Sequence, residues 1–275
     1  MILSLLFGLI IGFALGLTGG GGSVFAVPLL VYGLHVPAHA AVVISLAAVG
    51  ATALGGGLAR WRDGQAEYRI AVIFGLSGII GAPLGAWLSP RFSESALLTC
   101  FALLMLGIAL RMWRQASRRP EETRIVRAGA DPSDDSAGPV CRYDPAGQLQ
   151  FTSRCAVRLA LAGSATGLLS GLFGVGGGFL IVPALVLVAS LPMRRAVATS
   201  LWVIAIISMI GLLSHILAGH RLDVGTTTGF VLGGLGGMAL GIAVGRRIAG
   251  PVLQKLFAGM IVVVAVFMLI KLVVH

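Results

Sequence analysis

Charge is scarce in this chain. Asp, Glu, Lys and Arg make up 11% of 275 residues, against about 25% in soluble domains. Hydrophobic residues reach 57% and the mean hydropathy is +0.98, which excludes an ordinary water-soluble domain and implies a bilayer as solvent. Carboxylates are absent from the middle of every apolar run, since Asp63, Glu67 and Asp223 fall in the breaks between them; a buried acidic proton relay is therefore not expected. The three cysteines, Cys100, Cys141 and Cys155, lack metal-ligand spacing. Free thiols are expected for the last two, in or beside a segment assigned to the cytoplasm, and a Cys141–Cys155 disulfide would require the opposite topology. No His, Asp, Glu and Cys set sits at suitable spacing inside the apolar runs, so neither catalytic residues, nor a metal site, nor a cofactor is expected. The first residues, Met1 to Phe7, carry no positive charge and no cleavage signal follows, so they read as a retained span.

What charge there is leans one way, with a net +10. In a soluble protein that balance suggests nucleic acid; in a membrane protein it reports topology, because Arg and Lys concentrate in cytoplasmic loops and meet anionic headgroups there. Nucleic acid is not expected as a partner. The densest stretch, from Arg111 to Arg158, holds nine Arg, six acids and Pro120, Pro132, Pro139 and Pro145. It reads as a solvated, partly disordered linker on the cytoplasmic side.

Around the linker the chain is written twice. Gly16-Leu-Thr-Gly-Gly-Gly-Gly-Ser-Val-Phe-Ala-Val-Pro28 returns 155 residues later as Gly171-Leu-Phe-Gly-Val-Gly-Gly-Gly-Phe-Leu-Ile-Val-Pro183. The register holds beyond it, pairing Pro37 with Pro192, Ser45 with Ser200 and Gly56 with Gly211. An internal repeat of this kind marks a duplicated structural unit. Full spans are expected over Ala38–Leu58, Ile70–Leu88, Ser95–Trp113, Ala196–Leu217, Val224–Val244 and Pro251–Ile270. Met1–Gly33 and Ala156–Ser190 are each about a span and a half long and broken by the glycines, so each reads as a helix, a glycine turn and a short helix. The domains expected are an N-terminal transmembrane repeat over 1–113, a charged cytoplasmic linker over 114–154 and a C-terminal transmembrane repeat over 155–275.

If each glycine-broken segment crosses once, the repeats are parallel. If it enters and leaves on one side, or crosses twice, they are antiparallel. The odd count places Arg60, Arg62, the linker, Arg194, Arg195, Arg246 and Arg247 on the cytoplasmic side and leaves Arg91, Arg221 and Lys271 outside, so the positive-inside rule favours inverted repeats with both termini outside. The fold class expected is an all-α polytopic membrane protein of two inverted repeats, each of four to five transmembrane helical segments with a Gly-broken helix hairpin.

Unwound backbone at membrane depth is tolerated where protein or a water-filled cavity satisfies it. Gly19, Gly20, Gly21 and Gly22, and Gly174, Gly176, Gly177 and Gly178, allow tight turns that present several N–H groups, and the short helices starting near Ser23 and Phe179 would aim their positive ends at the same place. Discontinuous helices of this type build transporter substrate sites. The alternative is close helix packing, which is the reading for the scattered glycines, such as the Gly81–Gly85 and Gly237–Gly241 pairs. Neither cluster carries the Lys-Ser/Thr of a phosphate loop, so nucleotide binding is not indicated. Ser45 and Ser200 hold matching positions and could donate to an oxyanion; Thr199 lies beside them; Trp202 is either bundle filler or a cavity wall. Trp61, Trp87 and Trp113 sit at span ends, as do His35, His39, His215 and His220, where interfacial anchoring is the first reading. His215 stands opposite Arg60 in the register, which suggests an access path lined by basic groups.

The glycine stretch followed by Val-Pro, the Ala198-Thr-Ser-Leu201 segment, the two-fold repeat and the charged central loop together resemble the TauE/SafE family of sulfite exporter-like permeases. The match is closest at Gly174–Gly178, and departs where Ile44 stands opposite Thr199. The resemblance implies transport of small sulfur-containing anions such as sulfite, thiosulfate or organosulfonates, by a multi-pass protein of the cell inner membrane. The site residues expected for substrate are the eight clustered glycines with Ser23, Ser45, Thr199, Ser200 and Trp202; the partners are a small anion, the lipid bilayer and a further copy of the chain. The competing classes are a permease for another organic anion and an intramembrane enzyme.

Overall fold

A computed structural model describes residues 2–61, 64, 66–88, 91–118, 142–143, 149–150, 153–173, 178–189, 191–217 and 223–274. The described residues are overwhelmingly helical. The first half runs α1 (Ile2–Thr18), α2 (Gly21–Pro28), α3 (Ala38–Trp61), α4 (Tyr68–Leu88) and α5 (Glu94–Arg118); the second runs α6 (Ser153–Phe173), α7 (Gly178–Leu187), α8 (Met193–Leu217), α9 (Val224–Arg247) and α10 (Gly250–Val274). Among the described residues, five helices are long and apolar enough to cross a membrane: Ala40–Trp61, Tyr68–Gly85, Cys155–Leu172, Met193–Leu217 and Val224–Arg247. Most of the linker lies outside the described residues, apart from an antiparallel pair of two-residue strands, Arg142–Tyr143 with Leu149–Gln150.

The duplication in sequence is a duplication in structure. α2 continues into a π-helical turn, Leu29–Gly33, and the Val36 N–H then donates to Leu30 O at 3.1 Å. The same bond recurs 155 residues on, from Leu191 N–H to Leu185 O at 3.2 Å. Each third helix of a half is opened by a proline whose carbonyl accepts from the residue four on, Pro37 from Ala41 and Pro192 from Ala196, both at 2.9 Å. Proline suits that place because it has no N–H to leave unsatisfied at a helix start.

Within the first half the chain doubles back at the glycines. Gly22 lies against Ile11 and Leu15, and Gly33 against Phe7, so α2 and its π turn retrace α1 in the opposite direction. Between the halves, α1 packs on α9, α4 on α6, α3 on α8 and α5 on α10. α1 and α9 run parallel: Gly8 meets Phe230, while Gly16 meets Met238 and Gly241. α3 and α8, which hold the same place in each half, cross antiparallel, with Leu46 against Gly211, Gly50 against Ser208 and Gly57 against Trp202. Contacts this close need small residues, because backbone approaches backbone with no hydrophobic drive between helices in lipid.

Helix ends carry the polar work. Asp223 caps α9, accepting from the Gly225 N–H at 3.2 Å and the Thr226 hydroxyl at 2.6 Å. The Thr226 hydroxyl is the main reason its carboxyl is held below the ordinary range. A depressed pKa contributes stability that is present above the unfolded value and lost as pH falls through the folded one. Acidification below 3.8 is therefore expected to loosen the start of α9, read as faster amide exchange at Gly225 and Thr226 that is absent above that pH. Trp61, Trp87 and Trp113 are exposed near helix ends, as the interfacial reading expects, and the Arg91 guanidinium lies 3.9 Å over the Trp87 ring.

One expectation is overturned. Cys155 is fully buried and disulfide-bonded, whereas only Cys100 is free among the described residues. The free-thiol reading rested on compartment alone; a disulfide follows from sulfurs brought together in space, which cysteine spacing does not reveal. Its partner lies outside the described residues.

Candidate functional site

The first-half glycine turn meets the start of α7. Gly19 has φ +76, a left-handed conformation that favours glycine, and it ends α1 with its N–H on Leu15 O at 2.7 Å. A side chain on Gly20 would strike the carbonyl of Gly178, and one on Gly178 would strike the Ser23 hydroxyl. The α2 and α7 starts therefore abut. The Ser200 hydroxyl, fully buried on α8, donates to Gly19 O at 2.7 Å and lies 2.9 Å from Val197 O. It ties the first-half turn to a second-half helix.

The α2 start is partly satisfied from within. The Thr18 hydroxyl donates to Ala14 O at 2.6 Å and its oxygen accepts from the Gly21 N–H at 3.0 Å. The Ser23 N–H reaches Gly20 O at 3.3 Å, and the Ser23 hydroxyl donates to the same oxygen at 2.8 Å. Two of the N–H groups that a helix start normally leaves open are thus taken. Beside the turn lies an apolar crevice lined by Gly21, Phe25, Phe179, Phe257 and the register pair Met105 and Met260.

Of the site residues read from the sequence, Gly19, Gly20, Gly21, Gly22, Ser23, Gly178 and Ser200 converge. Gly174, Gly176 and Gly177 lie outside the described residues. Ser45 donates to Val42 O of its own helix at 2.9 Å, the ordinary fate of a hydroxyl in a membrane helix. Thr199 is turned elsewhere: its oxygen accepts the Glu67 N–H at 3.1 Å. Trp202 packs edge-on against Trp61 at 6.1 Å and Tyr68 at 5.5 Å, with its buried Nε1 lacking a partner among the described residues. It belongs to an aromatic cluster where α3 ends and α4 begins.

Thr199 and Trp202 take part in a join that the sequence did not single out. Arg195 pairs with Glu67 at 3.1 Å, both half-buried, so the loop before α4 is fastened to the start of α8 by an ion pair, a backbone hydrogen bond and the aromatic cluster. The positions matching Arg195, Thr199, Trp202 and Glu67 in the other half are Ala40, Ile44, Ala47 and Leu222. Nothing in the spacing of Glu67 and Arg195, 128 residues apart, signals this contact; only the antiparallel approach of α3 and α8 creates it.

At the same end, Arg194 donates to Arg246 O at 3.1 Å and to Ile248 O at 2.8 Å. Arg60 is buried, 5% exposed, and donates to Gly16 O at 2.8 Å. No group of three or more His, Cys, Asp or Glu that could hold a metal occurs among the described residues.

The sequence of this polytopic helical protein matches a known family profile described as "Sulfite exporter TauE/SafE" over residues 4–268. The chain belongs to the TauE/SafE family. It is 33% identical over 264 residues to a probable membrane transporter protein of Xylella fastidiosa (strain 9a5c), covering 94% of this chain and 91% of that one. It is 31% identical over 229 residues to the probable membrane transporter protein YunE of Bacillus subtilis (strain 168), covering 80% and 79%. No solved structure matches. As a TauE/SafE protein it is a multi-pass membrane transporter, and the TauE/SafE profile spans both glycine clusters of the sequence.

For this TauE/SafE chain, Ser200→Ala tests the tie between the first-half turn and α8. It removes the donor to Gly19 O, and an unsatisfied buried acceptor costs about 1–3 kcal/mol. A drop in the apparent melting temperature of detergent-purified protein is expected, with Ser200→Thr recovering part of it.

Proposed function

We propose that the chain moves a small sulfur oxyanion, such as sulfite, thiosulfate or an organosulfonate, outward across the inner membrane by alternating access around the two glycine turns. The observation that carries this is the meeting of Gly20 with Gly178, where helix starts from opposite halves abut beside Gly19, whose carbonyl accepts from the Ser200 hydroxyl of α8. Helix starts favour anions without a buried counter-charge. The antiparallel crossing of α3 and α8 supports an inverted repeat, the arrangement on which alternating access is commonly built. An inside-negative potential favours anion exit by about 2.3 kcal/mol per charge per 100 mV, so outward flux needs no proton relay.

The guanidinium-rich end formed by Arg60, Arg194, Arg195, Arg246 and Arg247 supports placing the linker in the cytoplasm and both termini outside. The Cys155 disulfide weighs the other way, because the cytosol keeps thiols reduced. Reporter fusions at the C-terminus decide between them: activity on the cytoplasmic side would reject the proposed orientation. For the substrate, a thermal-shift screen of sulfite, thiosulfate, sulfate, sulfoacetate and taurine on purified protein is expected to raise the melting temperature with at least one sulfur anion, since a ligand that binds the native state stabilises it. No shift with any of them, together with no liposome flux, would remove the reading.

A further inference from the structure

Each half lends a helix to the other. α1 opens the first half and lies against α9 of the second; α6 opens the second half and lies against α4 of the first, and these are the two most extensive helix contacts among the described residues. The two seams are copies. In one, a side-chain carbon added at Gly8 would strike the carbonyl of Phe230, at Gly12 that of Gly234, at Gly237 that of Leu9 and at Gly241 that of Phe13. In the other, a carbon added at Gly163 would strike the carbonyl of Phe74, at Gly167 that of Gly78, at Gly81 that of Ser164 and at Gly85 that of Leu168. The partners correspond one for one, 155 residues apart between α1 and α6 and 156 apart between α4 and α9. The Ser164 hydroxyl adds a bond across the second seam, donating to Ser77 O at 3.3 Å.

Backbone against backbone fixes a register. Gly233, Gly237 and Gly241 face Leu5, Leu9 and Phe13 at every fourth place, so a slip short of four residues, about 6 Å of rise, drives side chains into main chain. The contacts that α3 and α8 make with these pairs are of another kind. From α3, Gly55 meets the Leu235 side chain of α9 and Gly56 that of Met238; on α4, a carbon at Gly75 would lie 3.6 Å from the Ile206 side chain of α8 and one at Gly78 3.7 Å from that of Ile207. Side chains change rotamer as helices slide past one another, which is how shear movements proceed. A carbonyl pressed on a glycine has no such freedom.

We propose that α1–α9 and α4–α6 each move as one body in the transport cycle, against the α3–α8 crossing, so that the moving boundary cuts across the sequence halves instead of running between them. This rests on the alternating-access reading given above. α1 ends in the left-handed Gly19, so its pair carries the first-half turn with it, while the Ser200 hydroxyl of α8 holds that turn across the boundary. Rocking of one whole repeat against the other, a common scheme for duplicated transporters, would have to tear both seams.

The test bridges cysteine pairs with mercuric ion in the full chain, its free Cys100 removed as Cys100→Ser, and reads sulfite flux in liposomes before bridging, after it and after release by excess thiol. Cys100→Ser alone is the control. Ser77→Cys with Ser164→Cys joins α4 to α6, and Gly55→Cys with Leu235→Cys joins α3 to α9. Both bridges run from one half to the other, so rocking halves would be stopped by either. The expected result is flux within about two-fold of the unbridged protein for the first bridge, and for the second a fall of about 10-fold or more that release restores. Arrest by the first bridge overturns the proposal, because the pair would then have to part; a second bridge without effect overturns it as well. If wild-type protein carries no sulfite, thiosulfate or sulfonate, the sulfur reading falls, and nitroxide distances in lipid decide this proposal by themselves. Labels at Leu84 and Val157, exposed on α4 and α6, should report one narrow distance, and labels at Leu58 and Leu232, exposed on α3 and α9, a broad or two-peaked one. Equal widths overturn the proposal, and the same distances decide if either cysteine pair fails to fold.

Discussion

Gly20→Leu is expected to abolish transport. Its first side-chain atom would fall on the carbonyl of Gly178, a backbone atom that cannot rotate aside, where the starts of α2 and α7 abut. Overpacking a tight contact costs about 1–3 kcal/mol when neighbours can shift; here both partners are main chain, and the halves must separate or the turn must unfold. Flux in liposomes should fall by at least about 100-fold, the scale on which a small misplacement disables a site. Gly107→Leu serves as the control, since a carbon added there meets nothing within 4 Å. Normal flux in Gly20→Leu at normal folding would show that the meeting of the turns is dispensable to transport.

The second large effect lies away from the site. Gly237 on α9 has its open face on Leu9 and Phe13, Gly233 on Leu5 and Leu9, and Gly12 on Gly234. α1 and α9 thus touch backbone to backbone along their length. Gly237→Leu should push the helices apart and forfeit the dispersion contacts that hold membrane helices together. The expected readout is loss of monodisperse protein on size exclusion, or a fall in apparent melting temperature well beyond that of Ser200→Ala. Gly236→Leu, one residue away, meets nothing within 4 Å and should behave as wild type. Equal behaviour of the two variants would contradict the α1–α9 packing.

These contrasts mark what the sequence made legible. The hairpins announce themselves because a break in an apolar run leaves a written trace, glycine, and because the trace occurs twice. Packing for Gly81, Gly85, Gly237 and Gly241 follows from small-residue spacing, and each does lie against backbone. Ser200 was legible as one of a matched pair, and it reaches the glycine turn; Ser45, its match, bonds its own helix. Thr199 and Trp202 stand beside Ser200 in sequence, within or next to the Ala198-Thr-Ser-Leu201 segment. Both face the segment around Trp61, Glu67 and Tyr68. That destination depends on how α3 and α8 cross, a long-range relation that no local pattern encodes. The Cys155 disulfide was hidden for the same reason.

Duplication would make the two ends of a transporter interchangeable, and the join at Glu67 removes that equivalence. In the proposed alternating-access cycle, opening toward the linker would separate Glu67 from Arg195 and Thr199 and disturb Trp61, Tyr68 and Trp202, while opening at the far end would meet Ala40, Ile44 and Ala47 at the corresponding first-half positions. A standing difference of about 1 kcal/mol between access states is about a five-fold excess of one over the other. In the proposed cycle the resting molecule would thereby be weighted toward one face before any gradient or cargo acts on it, and two copies of one unit would work as a one-sided device.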